Sequence, residues 1–125
     1  MIRIKALASL VDKDSRLVDI GTDHALLPIY LYENEITKKV TGSDISSNAL
    51  EFAKNNLKKH NLSDKIKLIV SDGFTNLNDE YDTAVISGMG TDTIKKILDR
   101  ENLPKKLIIS SHKNVDKPVS YTHLT

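Results

Sequence analysis

The chain has 125 residues, 39% apolar and 28% charged, with 18 Lys plus Arg against 17 Asp plus Glu and a net charge of +1. This is one domain, long enough to bury a core, and its balance excludes nucleic-acid recognition by bulk charge, so any basic surface must come from local clustering. The lack of cysteine excludes disulfides and thiolate metal sites, and no apolar run approaches the roughly 20 residues of a membrane span, so a cytoplasmic protein with no membrane or metal partner is expected.

Residues 2–11 carry Ala6, Leu7, Leu10 and Val11 at helical spacing and read as a short amphipathic helix, without the apolar core of a signal peptide. Asp12-Lys-Asp-Ser15 breaks it. A first strand over 16–20 is apolar at Leu17, Val18 and Ile20, and a turn over 21–24 follows. Residues 25–34 read as a helix with Pro28 near its start, where the missing N–H costs nothing. A second strand over 39–43 ends at Asp44. Ser46 or Ser47 caps the next helix, whose apolar face carries Ala49, Leu50, Phe52, Ala53 and Leu57. A third strand, 65–70, ends at Asp72-Gly73. A fourth, 81–86, ends at Gly88-Met-Gly90. A helix over 91–99 and a fifth strand over 106–110 complete the pattern.

Strands alternating with helices imply an α/β fold, a mostly parallel sheet with helices on both faces. Right-handed crossovers put every strand-to-helix turn on one edge, and ligands in such sheets bind there, where strand order reverses. Asp19, Gly21, Asp44, Asp72, Gly73 and Gly88 all fall at strand ends. Gly21 lets the backbone pass close to a ligand, and Asp19 accepts hydrogen bonds from loop amides or from a ligand's ammonium. Asp44 suits the two hydroxyls of a ribose; its bland reading is a helix-start acid. Asp72 can accept from an adenine amino group while Gly73 leaves room for the ring; its bland reading is a plain turn. Ile45 and Met89 join these as cofactor-packing candidates. A single glycine in the first turn, where dinucleotide folds use three, favours S-adenosylmethionine over NAD. Asp23 is either the N-cap of the following helix or a residue facing the substrate, and is the catalytic candidate. His24 beside it reads as a base, a stacking group or a helix-start donor. Of the cations, the Lys54, Lys58 and Lys59 group reads as a solvated helix face. Arg3 and Lys5 are the RNA-contact candidates, because their helix can lie near the strand-end edge.

The run from Arg16 to Leu31, with its Asp-Ile-Gly-Thr-Asp-His-Ala-Leu-Leu-Pro core, resembles the signature of the bacterial tRNA adenine-N1-methyltransferases that act at position 22 of tRNA. The similarity continues at Ser71-Asp-Gly-Phe74 and Ile86-Ser-Gly-Met-Gly90. It implies a Rossmann-like class I methyltransferase fold, S-adenosylmethionine as cofactor and tRNA as substrate. It carries cofactor binding onto Asp19, Gly21, Asp23, His24, Asp44, Asp72, Gly73 and Gly88. Departures lie at Thr91, where the family has a further glycine, and at Ser111-His-Lys-Asn114, where it has Gln-Pro-Asn. The family's last strands and helical C-terminal region have no counterpart, so residues 1–118 are expected to be an incomplete methyltransferase domain. Residues 119–125 resemble a translated sequencing-adapter read-through and read as a non-native tail. Five strands would then leave a sheet edge open to self-association.

The expected chemistry is direct methyl transfer to adenine N1, on a base that is unpaired or flipped out. Two rival readings stand beside it: a small-molecule methyltransferase using the same cofactor site, and an inactive cofactor-binding fragment.

Overall fold

The computed structural model describes residues 2–111 and 117–122. Six strands form one sheet in the order β3-β2-β1-β4-β5-β6. They are β1 (Leu17–Ile20), β2 (Val40–Asp44), β3 (Lys67–Val70), β4 (Thr83–Met89), β5 (Lys106–Ser111) and β6 (Val119–Thr122). The first five are parallel, and β6 returns antiparallel against β5. The helices are α1 (Ile2–Ala8), α2 (Leu26–Glu33), α3 (Ser47–Lys59) and α4 (Thr91–Leu98). The chain steps outward from β1 to β3, then jumps back to place β4 on the other side of β1. Strand order therefore reverses between β1 and β4, and the crevice beyond their carboxyl ends is where such sheets take ligands.

Alternation along each strand divides the core in two. Leu17, Val40, Val85 and Ile108 pack with the apolar sides of α1, α2 and α3. Val18, Ile20, Ala84, Ile86 and Leu107 pack on the other face with Phe74 and with Ile94 of α4. Leu17, Val18, Val85, Ile86 and Ile108 are fully buried, which accounts for their near-continuous apolar runs. Asp19 and Ser87 share the parity of Leu17 and Val85. They belong to the α1 side of the sheet, and this alternation brings the first helix to the site.

The sequence reading holds for the order of elements and differs at their ends. The first helix stops at Ala8 rather than running to Val11. β4 continues through Gly88 to Met89, because Gly88 at φ 73 absorbs a register shift against β5 between Ser87 and Met89. Ser46 does cap α3, its hydroxyl accepting from the Ala49 N–H at 3.1 Å. Phe52, expected on the apolar face of α3, is instead 60% exposed; Leu50, Ala53 and Leu57 carry the packing. The open edge expected on β5 is covered by β6, with Ile109 opposite Val119 and Lys106 opposite Thr122. All four β6 residues are exposed. Such a strand is held by backbone pairing to an edge, which leaves no hydrophobic alternation to read.

Candidate functional site

The loop after β1 is built from unusual backbone. Gly21 adopts φ 79, and Asp23 and Ala25 adopt φ 55 and 61 without being glycine. Such residues persist where surrounding contacts over-determine them. The Gly21 and Thr22 N–H groups both donate to the Ser43 carbonyl, at 2.9 and 2.8 Å. The Asp23 N–H donates to Asp44 Oδ2 at 3.0 Å, and the Asn56 side chain donates to the His24 carbonyl at 2.8 Å. The loop is thereby stitched to β2 and α3. Asp23 is not the N-cap of α2: Ala25 holds that position, with no side-chain cap. The Asp23 carboxylate stays exposed and lies 3.8 Å from His24 Nε2, a solvent-exposed contact of little energetic weight. His24 also meets the exposed Phe52 ring, with centroids 5.4 Å apart.

A Cβ on Gly21 would lie 2.4 Å from the Met89 methyl. The backbone is bare where Met89 crosses it. Gly42 on the neighbouring β2 has a related role. Its missing Cβ leaves the space taken by the Thr22 side chain, 2.9 Å from where that Cβ would sit.

Asp44 and Asp72 sit at neighbouring strand ends. Asp44 Oδ1 accepts from the Ser46 N–H at 3.0 Å while Oδ2 takes the Asp23 N–H. Each oxygen keeps a further lone pair for a ligand hydroxyl. Both readings of Asp44 are therefore compatible: it fixes the local backbone and still presents a carboxylate to the crevice. Ser71, buried beside Asp72, donates its hydroxyl to the Gly73 carbonyl at 2.8 Å and accepts from the Asn76 N–H at 3.0 Å. This holds the Asp72-Gly73 turn, with Gly73 at φ 59 and Ile97 of α4 3.3 Å from where a Cβ would stand.

Asp19 is 3% exposed, and its Oδ1 has no hydrogen-bond partner. Burial pushes its carboxyl up to about 7. The Thr22 hydroxyl and the Arg3 guanidinium pull it back down, and the Asp44 charge raises it further. The Thr22 hydroxyl moderates Asp19 by proximity, since its Oγ1 forms no hydrogen bond of proper geometry. A buried carboxyl with an unused oxygen is costly unless a ligand completes it. Arg3 projects from α1 over the strand ends, with Nη1 3.4 Å from Ser87 Oγ. Lys5, the other cation expected to meet RNA, is exposed on the same helix.

Two cavities meet at Gly21. The larger, about 470 Å³, is walled by apolar Ile20, Ile45, Phe74, Met89 and Ile97 and carries Asp44 and Asp72. The smaller is a cleft of about 10 Å³ bordered by Arg3, Asp19, Thr22, Asp23, His24 and Ser87. The structure thus brings Gly21, Asp44, Ile45, Asp72, Gly73 and Met89 around the larger cavity, and Asp19, Asp23 and His24 around the smaller cleft that shares Gly21. Gly88 stands beside Arg3, whose Nη1 is 3.8 Å from a notional Cβ. Sequence reasoning gave no separate role to Thr22, nor to Ser71, Phe74 and Ser87 within their motifs; Ser71 holds the Asp72-Gly73 turn, Ser87 meets Arg3, and the Arg100 guanidinium sits 4.9 Å over the Phe74 ring. Asn114 lies outside the described residues. Among the described residues no cluster of three metal-ligating side chains occurs, and no helix is long and apolar enough to cross a membrane.

A family model described as "Methyltransferase domain" matches residues 1–122. A Mycoplasma genitalium protein provisionally named a tRNA methyltransferase is 35% identical over 98% of this chain and 57% of its own length. The tRNA (adenine(22)-N(1))-methyltransferase of Bacillus subtilis is 30% identical over 78% of this chain and 41% of its own length. Among solved structures, the Mycoplasma capricolum enzyme TrmK, bound to the natural cofactor product S-adenosyl-homocysteine, superposes with a TM-score of 0.79. It is 34% identical, over 87% of this chain and 50% of that one. The chain spans about half the length of the relatives it matches.

Proposed function

The chain belongs to the methyltransferase-domain family, and from that premise we propose that it binds S-adenosylmethionine and transfers the methyl group to N1 of an adenine in tRNA. The observation that carries the cofactor half is that Asp44 and Asp72 line one cavity and Asp19 lines the cleft meeting it at Gly21, all three on the adjacent strands β1 to β3 or just beyond them, beside the point of strand reversal. The tRNA half rests on the relatives, which are named for that substrate.

The residues fit the group. Gly21 offers bare backbone where a Cβ would collide with Met89, and Asp19 keeps an unused buried oxygen. Asp44 would take the ribose hydroxyls. Asp72 would accept from the adenine amino group, with Gly73 leaving room for the ring and Ile45 and Ile97 as apolar walls. Asp19 would accept from the ammonium. When bound, S-adenosylmethionine supplies an electrophilic methyl group on a sulfonium.

Adenine N1 holds its lone pair in the plane of the ring, so an oriented base needs no proton removed before it attacks. What the protein adds is position and a field that tolerates positive charge growing on the base. Asp23, exposed at the rim beside the Gly21 turn, would face that base and accept from its amino group. N1 lies on the pairing edge, so the substrate adenine must be out of its helix. Lys5 would contact RNA phosphate from α1.

The test is methyl transfer from labelled S-adenosylmethionine to an unmodified tRNA transcript, read by nuclease digestion and mass spectrometry. Label as 1-methyladenosine, lost when the target adenine is replaced, is the expected result. Label on small nucleosides or metabolites with none on tRNA would favour a small-molecule acceptor. Cofactor binding without transfer to any acceptor would contradict the catalytic half.

A further inference from the structure

The second turn of α3 carries Phe52, 60% exposed although Leu50, Ala53 and Leu57 already serve the core. An exposed phenylalanine on its own is ordinary on a protein surface. This one meets a second ring: the His24 imidazole centroid lies 5.4 Å away, with the planes tilted by 43°. The His24 side chain is itself 48% exposed, so both rings leave π surface open to solvent. The fold holds this pair in place. His24 sits between two left-handed residues, Asp23 and Ala25, and its carbonyl accepts from the Asn56 side chain at 2.8 Å. Asn56 lies about one turn beyond Phe52, so the helix that presents one ring also fixes the backbone of the other.

The surroundings select what the rings can take. At helical spacing Asn48, Asn55 and Lys59 share the exposed side of α3 with Phe52. Glu51 lies off that side and pairs with Lys54 at 3.4 Å. Near the rings stands the Asp23 carboxylate, 3.8 Å from His24 Nε2. A carboxylate repels phosphate and accepts from exocyclic amino groups, so this spot suits the edge of a base rather than the nucleic-acid backbone. Exposed aromatic faces flanked by amides and a lysine, without a deep pocket, are how proteins take unpaired bases.

Building on the tRNA reading above, we propose that His24 and Phe52 form a stacking platform for an unpaired tRNA base next to the target adenine. The target itself belongs at the crevice beyond β1 and β4. In the chain Asp23 stands between the Gly21 turn and the ring pair, so the platform takes a neighbouring base and not the reacting one. Lys59, about two turns beyond Phe52, would meet a phosphate further along the strand. Both rings act as positioning residues: a held neighbour keeps the strand from restacking and so keeps the target base out of its helix.

Binding of an unmodified tRNA transcript to the full chain, read by fluorescence anisotropy beside calorimetry with S-adenosyl-homocysteine, tests this. Phe52→Ala, at an exposed position, should melt like wild type. It is expected to weaken tRNA roughly 5- to 100-fold, the loss of one base–aromatic stack, and to change S-adenosyl-homocysteine affinity by less than about 2-fold. Phe52→Trp should hold tRNA at least as well as wild type, and Phe52→Leu as poorly as the alanine variant, because leucine is apolar without a π-face. Transcripts carrying one abasic nucleotide at each unpaired position beside the target identify the base. One of them should lose that same factor with wild type and little more with Phe52→Ala. Equal tRNA affinity for wild type and Phe52→Ala overturns the platform, as does a Phe52→Leu variant that binds like wild type. A concentration-dependent dimer lost in Phe52→Ala, with tRNA affinity unchanged, overturns it in favour of a second copy of the chain. Wild type that binds S-adenosyl-homocysteine but no tRNA brings down the substrate reading, and the platform with it.

Discussion

The backbone N–H of Asp23 donates to Asp44 Oδ2 at 3.0 Å, tying the turn after β1 to the end of β2. One carboxylate thus shapes the loop and lines the cavity. Replacing Asp44 by Ala removes the acceptor of both the Asp23 and Ser46 N–H groups. A stability loss of about 1–2 kcal/mol is expected, with S-adenosyl-homocysteine affinity falling by at least ~10-fold. Thermal melting and calorimetry on the same preparation check both; intact affinity would remove Asp44 from the ribose role.

The Asp23 bond uses the main chain, so Asp23→Ala leaves it in place. The variant should match wild type in melting within about 0.5 kcal/mol, as for an exposed side chain away from packing. Cofactor affinity should be unchanged while methyl transfer to tRNA falls. Equal transfer rates would take Asp23 off the catalytic list.

Gly21 carries two separate constraints, its φ of 79 and the Met89 methyl above it. Gly21→Ala is expected to cost about 1–3 kcal/mol and to abolish cofactor binding. Adding Met89→Ala should relieve the collision and recover some of the stability, while the backbone strain remains. A double mutant no more stable than Gly21→Ala, measured by chemical denaturation, would mean Met89 simply turns aside.

Asp19 makes stability depend on pH. Its carboxyl titrates at about 7 in the folded chain against 3.8 ordinarily. Between about pH 4 and pH 7 the native state holds a proton that the unfolded chain has released. Stability is therefore full below that window and is lost as pH rises through it. The total is at most roughly 4 kcal/mol, from about three pKa units at 1.36 kcal/mol each. Asp19→Asn should flatten the profile, melting above wild type at pH 8 and close to it at pH 4, and should lose S-adenosyl-homocysteine affinity. Parallel melting profiles for the two proteins would contradict this burial-driven shift.

The order of strands and helices was legible because each central strand is apolar on both faces, and because acids and glycines mark where the strands stop. Asp19, Asp44 and Asp72 could be aligned on one edge without coordinates, since parallel connectivity leaves them no other edge. What stayed hidden depends on contacts distant in sequence. Nothing local tells that Arg3 reaches Ser87, 84 positions away. That proximity follows from α1 packing on α2 over the face to which Asp19 and Ser87 point. Asp23 looked like a helix cap because its residue type suits one; its left-handed backbone is imposed by Asp44 and Ser43 from the next strand. Phe52 fitted a helical apolar stripe and is displaced from the core because Leu50, Ala53 and Leu57 already fill it.

A crystal structure of the chain grown with S-adenosyl-homocysteine tests the central claim most directly. The expected ligand runs through the Gly21 turn, with its ribose on Asp44, its adenine in the cavity of Ile45, Gly73 and Ile97, and its amino-acid end on Asp19. A ligand bound away from the β1–β4 crevice, or bound there with the three carboxylates untouched, would contradict it.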